Sequence, residues 1–185
     1  MNLKVFRAIK TNICTQGFYE NANPYYKQVG MSSHGGWDWA AREGEPVYFD
    51  CVGKGFVLNT EIDTAGGLGV NIITENDEGI FKHRYWHLKK FNVVAGQEIS
   101  VGHLIGWCDN TGMSTGTHLH RDTKEMIKDG GAYKIKNPNN GTFGTIDYSK
   151  YFINTFVGDV VANWKSQVSI IGKLIDLYKE LLKKV

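Results

Sequence analysis

The residues with the plainest chemical potential are His118 and His120. They lie two apart in Thr117-His118-Leu119-His120, reached through the glycine-rich run 106–116. In an extended strand alternate side chains share a face, so both imidazoles point one way and Leu119 the other. Such a pair is either a metal or catalytic pair or a hydrogen-bonded strand pair. Other donors lie upstream: His34 and Asp38 in Ser33-His34-Gly35-Gly36-Trp37-Asp38, and His87 in Arg84-Tyr85-Trp86-His87-Leu88. His34, Asp38 and one histidine of the pair supply three nitrogen and oxygen ligands, which leaves a fourth tetrahedral position for water. An open position of that kind is what metal-assisted hydrolysis needs.

These donors require a rigid frame, and the pattern from Pro46 onward supplies strands. Val47, Phe49 and Cys51 alternate with Tyr48 and Asp50, and segments 55–58, 70–74, 80–87 and 101–107 continue the apolar runs. The breaks at 63–67 and 75–79 carry turn residues. Short strands with tight turns and no intervening helix predict a mostly β, antiparallel sheet domain. Residues 1 to 33 read as a polar approach segment with a turn at Asn23-Pro24, and the stretch beyond Asp122 reads as loop through 128–131 and 137–141. From about 151 apolar residues recur at three- and four-residue steps, predicting one long amphipathic C-terminal helix. The division is therefore a domain over 1–150 and a helix over 151–185. The helix has three readings: packing along its own domain, self-association through a heptad-like seam (Val157, Trp164, Ile171, Tyr178, Val185), or lying on a membrane surface.

At 185 residues the chain holds one domain with a substantial core plus an appendage. A net charge of +2 is mild, so no nucleic-acid partner is expected. Cys14, Cys51 and Cys108 form no Cys-x-x-Cys pair and read as free thiols, mostly packed. The first ten residues lack an uninterrupted apolar core, so no Sec signal peptide is expected, and no run has the length of a transmembrane span.

The succession His34-x-Gly36-x-Asp38, Tyr85-x-His87-Leu88 and Asn110-Thr111-Gly112-x-Ser114-Thr115-Gly116-x-His118-Leu119-His120 resembles the lysostaphin and LytM-type zinc endopeptidases, which cut peptidoglycan peptides. The resemblance runs from about Gln16 to about Asp122. It implies one zinc per chain on His34, Asp38 and His120. His87 and His118 would stay unligated, as general base and acid or as hydrogen-bond donors to an oxyanion. The substrate it implies is a peptidoglycan stem peptide or cross-bridge.

Gln16-Gly17-Phe18 and Tyr25-Tyr26-Lys27 resemble the approach segment of phage-type members, so Tyr25 or Tyr26 is expected either to line the cleft or to pack the segment on the sheet. Three positions depart from the family pattern. Thr117 replaces a usual proline, and Arg121-Asp122 replace an aromatic residue and a glutamate, which bears on substrate preference. His83 and His103 match nothing in this machinery and are expected at the surface or in support. Trp37, Trp39 and Trp86 are expected to pack under the site. Gly112 to Gly116 lacks the Gly-Lys-Ser/Thr ending of a phosphate loop and reads as a cleft wall. A wall substrate without a signal peptide points to a bacteriophage setting: a tail-associated lysin, or an endolysin released to the wall by a holin-like route. The helix would then serve virion docking or self-association. The rival is a catalytically silent member acting as a structural or activating module of a virion or cell-wall complex. Loss of a ligand would mark it, and none is lost.

Overall fold

The alternating apolar residues after Pro46 do form strands, and turns rich in Gly, Asp and Asn separate them. A computed structural model describes residues 3–20 and 24–182, so Asn23 of the expected turn and Val185 of the expected seam lie outside the described residues. The elements are β1 (Val5–Arg7), β2 (Cys14–Gln16), α1 (Tyr25–Gln28), β3 (Trp37–Ala40), β4 (Pro46–Tyr48), β5 (Lys54–Asp63), β6 (Gly67–Asn76), β7 (Gly79–Phe91), β8 (Glu98–Ser100), β9 (Leu104–Cys108), β10 (His118–Asp129), β11 (Ala132–Ile135), β12 (Phe152–Phe156) and α2 (Val157–Leu182). The main sheet runs β2-β3-β10-β7-β6-β5-β8, with β11 on β10 and β9 bridging β4 and β7. Every pairing in it is antiparallel.

One face of this sheet packs a core around Val47, Phe49, Ile72, Tyr85, Leu88 and Leu119. The thiols of Cys51 and Cys108 lie in it, while Cys14 is exposed. Burial first, and then the negative charge of Asp50 beside Cys51 and of Glu45 and Asp109 near Cys108, pushes both buried thiols above their usual range.

Two expectations need correction. The strands are not short: β7 has 13 residues and β10 has 12. The chain does not loosen after Asp122, because β10 continues to Asp129, turns at Gly130-Gly131 and returns as β11. Lys124 and Lys128 interrupt the apolar pattern there, yet Thr123 and Met126 are buried and keep the strand in register with β7. Of the two places expected for His83, surface or support, burial excludes the surface: it is fully buried among Thr74, Thr123 and Arg121.

The expected division at 150 falls just before β12, which pairs in parallel with β1 through Val5↔Phe152 and Arg7↔Phe156. Phe152 packs on Trp39 and Phe156 on Tyr48. Val157 at the start of α2 is fully buried, so the ties to the domain extend past residue 150. Beyond Val161 the helix leaves the domain. Val168, Ile171, Leu174 and Tyr178 are 55% to 69% exposed, so internal packing of the stripe is not what this fold uses. Among the described residues no helix is long and apolar enough to cross a membrane.

Candidate functional site

The site rests on strand alternation across three neighbours. His120 sits opposite Asp38 of β3 and opposite Trp86 of β7, so these side chains share the face turned away from the core. Gly36 lets His34 close over them, since a Cβ there would stand 2.7 Å from the His120 ring. Three donor atoms converge: His34 Nε2 lies 3.2 Å from Asp38 Oδ1 and 3.0 Å from His120 Nδ1, and His120 Nδ1 lies 2.8 Å from Asp38 Oδ1. These are the residues of the described chain that can hold a metal ion together. Donors tetrahedrally placed around zinc stand about 3.3 Å apart, so the cluster needs only slight expansion to fit one.

The outer nitrogens decide which ring atoms face inward. His34 Nδ1 lies 2.9 Å from the Gly17 carbonyl and His120 Nε2 lies 3.2 Å from the Asp122 carboxylate. Both partners are acceptors, so those nitrogens carry the protons and donate outward. His34 Nε2 and His120 Nδ1 therefore face each other and Asp38 with lone pairs. Three electron-pair donors at these distances can hold a cation among them.

The charges agree with that arrangement. Burial opposes charge on Asp38, but its close contacts with His120 and His34, which favour the carboxylate, outweigh it and hold the carboxyl far below its usual range. Burial likewise opposes charge on His120, yet hydrogen bonds to Asp122 and Asp38 push its pKa up to about 9. In metal-free protein a proton on His120 takes the place of the cation.

His118 and His87 approach the cluster without joining it. His118 Nδ1 donates to the Gly116 carbonyl at 2.8 Å, which leaves Nε2 facing Asp38 Oδ1 at 3.7 Å. His87 Nδ1 donates to the Thr111 carbonyl at 2.7 Å, and its ring centroid lies 4.4 Å from that of His118. Burial and then the nearby His118 lower the His87 pKa to about 4, so its Nε2 keeps a lone pair at neutral pH. Simple alternation from Trp86 would turn His87 toward the core. A positive φ of 61° at His87 breaks the alternation and swings the ring into the cleft.

The expected site residues thus gather at one place, in a cleft of about 370 Å³. Tyr25 and Tyr26 line it, as do Met113, Ser114 and Thr115 of the glycine-rich run. Trp37 and Trp39 stack at 6.4 Å beneath the site, whereas Trp86 packs under Gly66 and Gly69 and also reaches the cleft. His103 stays apart, beside Gln97. Arg121 points into the core, where it pairs with Asp50 at 3.0 Å and lies over Tyr85, so it does not touch the cleft. Asp122, marked in the sequence only as a departure from the family pattern, and Arg84, quoted only as part of the His87 motif, stand directly beside the cluster. The signal available was their spacing, two residues along from His120 and two back from Trp86 on the same faces.

Residues 32–134 match the sequence pattern of Peptidase family M23. The chain belongs to this family. Relatives include the glycyl-glycine endopeptidase ALE-1 of Staphylococcus capitis, 35% identical over 97 residues, which are 52% of this chain and 26% of the relative. The peptidoglycan DD-endopeptidase ShyA of Vibrio cholerae is 38% identical over 98 residues, 53% of this chain and 21% of its own length. Among solved structures, LytU superposes with a TM-score of 0.52 at 26% identity, covering 68% of this chain and 81% of that one. The catalytic domain of lysostaphin from Staphylococcus simulans shares the fold at 24% identity, with a TM-score of 0.50 over 70% of this chain and 90% of that one. The chain spans only a fifth to a quarter of the length of the curated relatives, from 19% to 26%. All five expected site residues fall inside the M23 match. Tyr25, Tyr26 and the ties of β12 and α2 lie outside it.

Proposed function

We propose that this M23 peptidase is a zinc-dependent endopeptidase that hydrolyses peptide bonds in peptidoglycan stem peptides or cross-bridges. His34, Asp38 and His120 hold one zinc per chain. The observation that carries the reading is the inward facing of His34 Nε2, Asp38 Oδ1 and His120 Nδ1 while the outer ring nitrogens donate to Gly17 and Asp122. Zinc at such a site polarises a carbonyl and lowers the pKa of water toward about 7.

The remaining steps fall to the chain itself. His87 Nε2 and His118 Nε2 carry the lone pairs that take a proton from the attacking water. The same nitrogens, once protonated, return it to the leaving amine or donate to the oxyanion. Thr111 and Gly116 fix both rings in the tautomer this requires. Tyr25 and Tyr26 with the wall around Ser114 hold an extended peptide across the cluster.

The setting we propose is bacteriophage-associated, tail-borne or holin-released, with α2 as the docking or self-association element. The resemblance of the Tyr25-Tyr26 segment to phage-type members and the exposed stripe on α2 support it. The test is release of peptide fragments from purified peptidoglycans, with metal content measured on the same sample. Activity should vanish with a chelator and return with about one equivalent of zinc. A protein that binds zinc but releases nothing from any cross-link type is the silent module instead.

A further inference from the structure

The cleft face of β7 and β10 continues past the metal cluster as a charged row that the mechanism does not use. Asp122 sits opposite Arg84, and Lys124 opposite Lys82. One carboxylate bridges the first pair to the cluster: Asp122 Oδ2 faces His120 Nε2 at 3.2 Å, and Asp122 Oδ1 accepts from Arg84 Nε at 2.8 Å. The Arg84 guanidinium therefore stands one carboxylate away from a proposed ligand. It lies over the Trp86 ring, 5.5 Å from the centroid.

Among the described residues Arg84 is the one Lys or Arg that lines the cleft. Its Nε is committed to Asp122, and no described residue hydrogen-bonds Nη1 or Nη2. Asn71, opposite Arg84 in β6, keeps a buried Oδ1 without a partner, so the guanidinium does not turn back along the sheet. The carboxylates of the cleft are already engaged: Asp38 is in the cluster, and Asp63 Oδ1 ties the backbone amides of Ala65 and Gly66. Two parallel N–H donors on a half-buried guanidinium stacked over Trp86 match a carboxylate in bidentate geometry.

We propose that Arg84 is a specificity-determining residue whose Nη1 and Nη2 bind a carboxylate on the substrate beside the scissile bond, selecting anionic peptides over uncharged ones such as glycine bridges. This rests on the peptidase reading and narrows its substrate class to acidic stem peptides.

The test uses a pair of non-cleavable reduced-amide peptides that differ only in a carboxylate against a carboxamide next to the modified bond. Zinc-loaded wild type, Arg84→Gln and Arg84→Lys are titrated calorimetrically, with zinc content confirmed for each. Wild type should bind the acidic peptide about tenfold to a hundredfold more tightly, the range of a charge-assisted hydrogen bond. Arg84→Gln should bind the two alike, and Arg84→Lys should keep part of the preference. A preference that survives in Arg84→Gln belongs to the metal and overturns the assignment, as does a wild type that binds both equally. If Arg84→Gln loses zinc, a full preference retained by Arg84→Lys rules out bidentate recognition. Hydrolysis separates the two ideas. Equal cleavage of a cleavable acidic and amidated pair removes the role of Arg84 and leaves the peptidase standing, whereas no release from any peptidoglycan removes both.

Discussion

His118 and His120 share one face of β10 but turn different ring atoms toward the same oxygen, Nε2 of His118 at 3.7 Å and Nδ1 of His120 at 2.8 Å from Asp38 Oδ1. The difference follows from their outer partners, the Gly116 carbonyl for His118 and the Asp122 carboxylate for His120. A split between the two histidines is expected. His120→Ala, like His34→Ala and Asp38→Ala, should lose zinc and hydrolysis together. His118→Ala and His87→Ala should keep zinc while turnover falls about 10²- to 10⁴-fold, the usual contribution of a positioned acid or base. Metal content and peptidoglycan hydrolysis measured on all five variants decide it. Loss of metal from His118→Ala as readily as from His120→Ala would falsify the division.

Period-two alternation is why so much of this site was legible. It places His118 and His120 together and sends Leu119 to the core, with no need of the rest of the fold. His87 was legible only as a motif residue. Its direction depends on a left-handed backbone at one position, which alternation cannot supply. Arg121 was legible as a departure but not as a core residue, because its burial depends on Asp50, 71 residues away. The parallel pairing of β1 with β12 joins three-residue and five-residue strands from opposite ends of the chain, too short for any local pattern to show. The long helix was legible from its repeat. What lies against the repeat is a tertiary fact, and the structure leaves it uncovered.

The Asp50–Arg121 pair is 1% exposed on both sides and also engages the Tyr85 hydroxyl at 2.6 Å. Removing one partner strands a buried charge. Asp50→Ala should therefore cost about 3–5 kcal/mol of unfolding free energy. Adding Arg121→Met should recover part of that loss, since the stranded cation goes with it. Urea unfolding of the two variants gives both numbers. A cost below about 1 kcal/mol for Asp50→Ala would mean that water or rearrangement compensates the charge.

His83 makes a pH prediction through the same network. Burial, and then the positive charge of Arg121, hold its pKa well below the usual histidine value. The unfolded chain takes up a proton near pH 6.5 that the folded chain refuses. Stability from this residue is thus fully present above that value and is lost as pH falls below it, by about 1.4 kcal/mol per pH unit. In His83→Gln the term is missing, so the gap between wild type and variant should narrow from pH 7 to pH 5. Urea unfolding at pH 7, 6 and 5 measures it, and a gap that stays constant with pH would show that His83 titrates freely when folded.

The end of the domain can be located by two truncations. A chain ending at residue 150 loses Phe152, Phe156 and Val157, which pack on Trp39, Tyr48 and the core. Fully burying a side chain of this size is worth about 1.5–3 kcal/mol, and with Val157 fully and both phenylalanines half buried, that truncation should be strongly destabilised. A chain ending at residue 162 keeps β12 and the contact of Val161 with Gly102, and should unfold at the same temperature as the intact protein. It should also lose any association carried by the exposed stripe, because Trp164, Val168, Ile171 and Tyr178 all lie beyond the cut. Calorimetry gives the stabilities, and light scattering over a range of concentrations gives the sizes. If 1–150 matches the intact protein in stability, β12 belongs with the helix and not with the domain. If intact protein and 1–162 are both monomeric at every concentration, the stripe is not a seam for a second copy, and its partner is a different molecule.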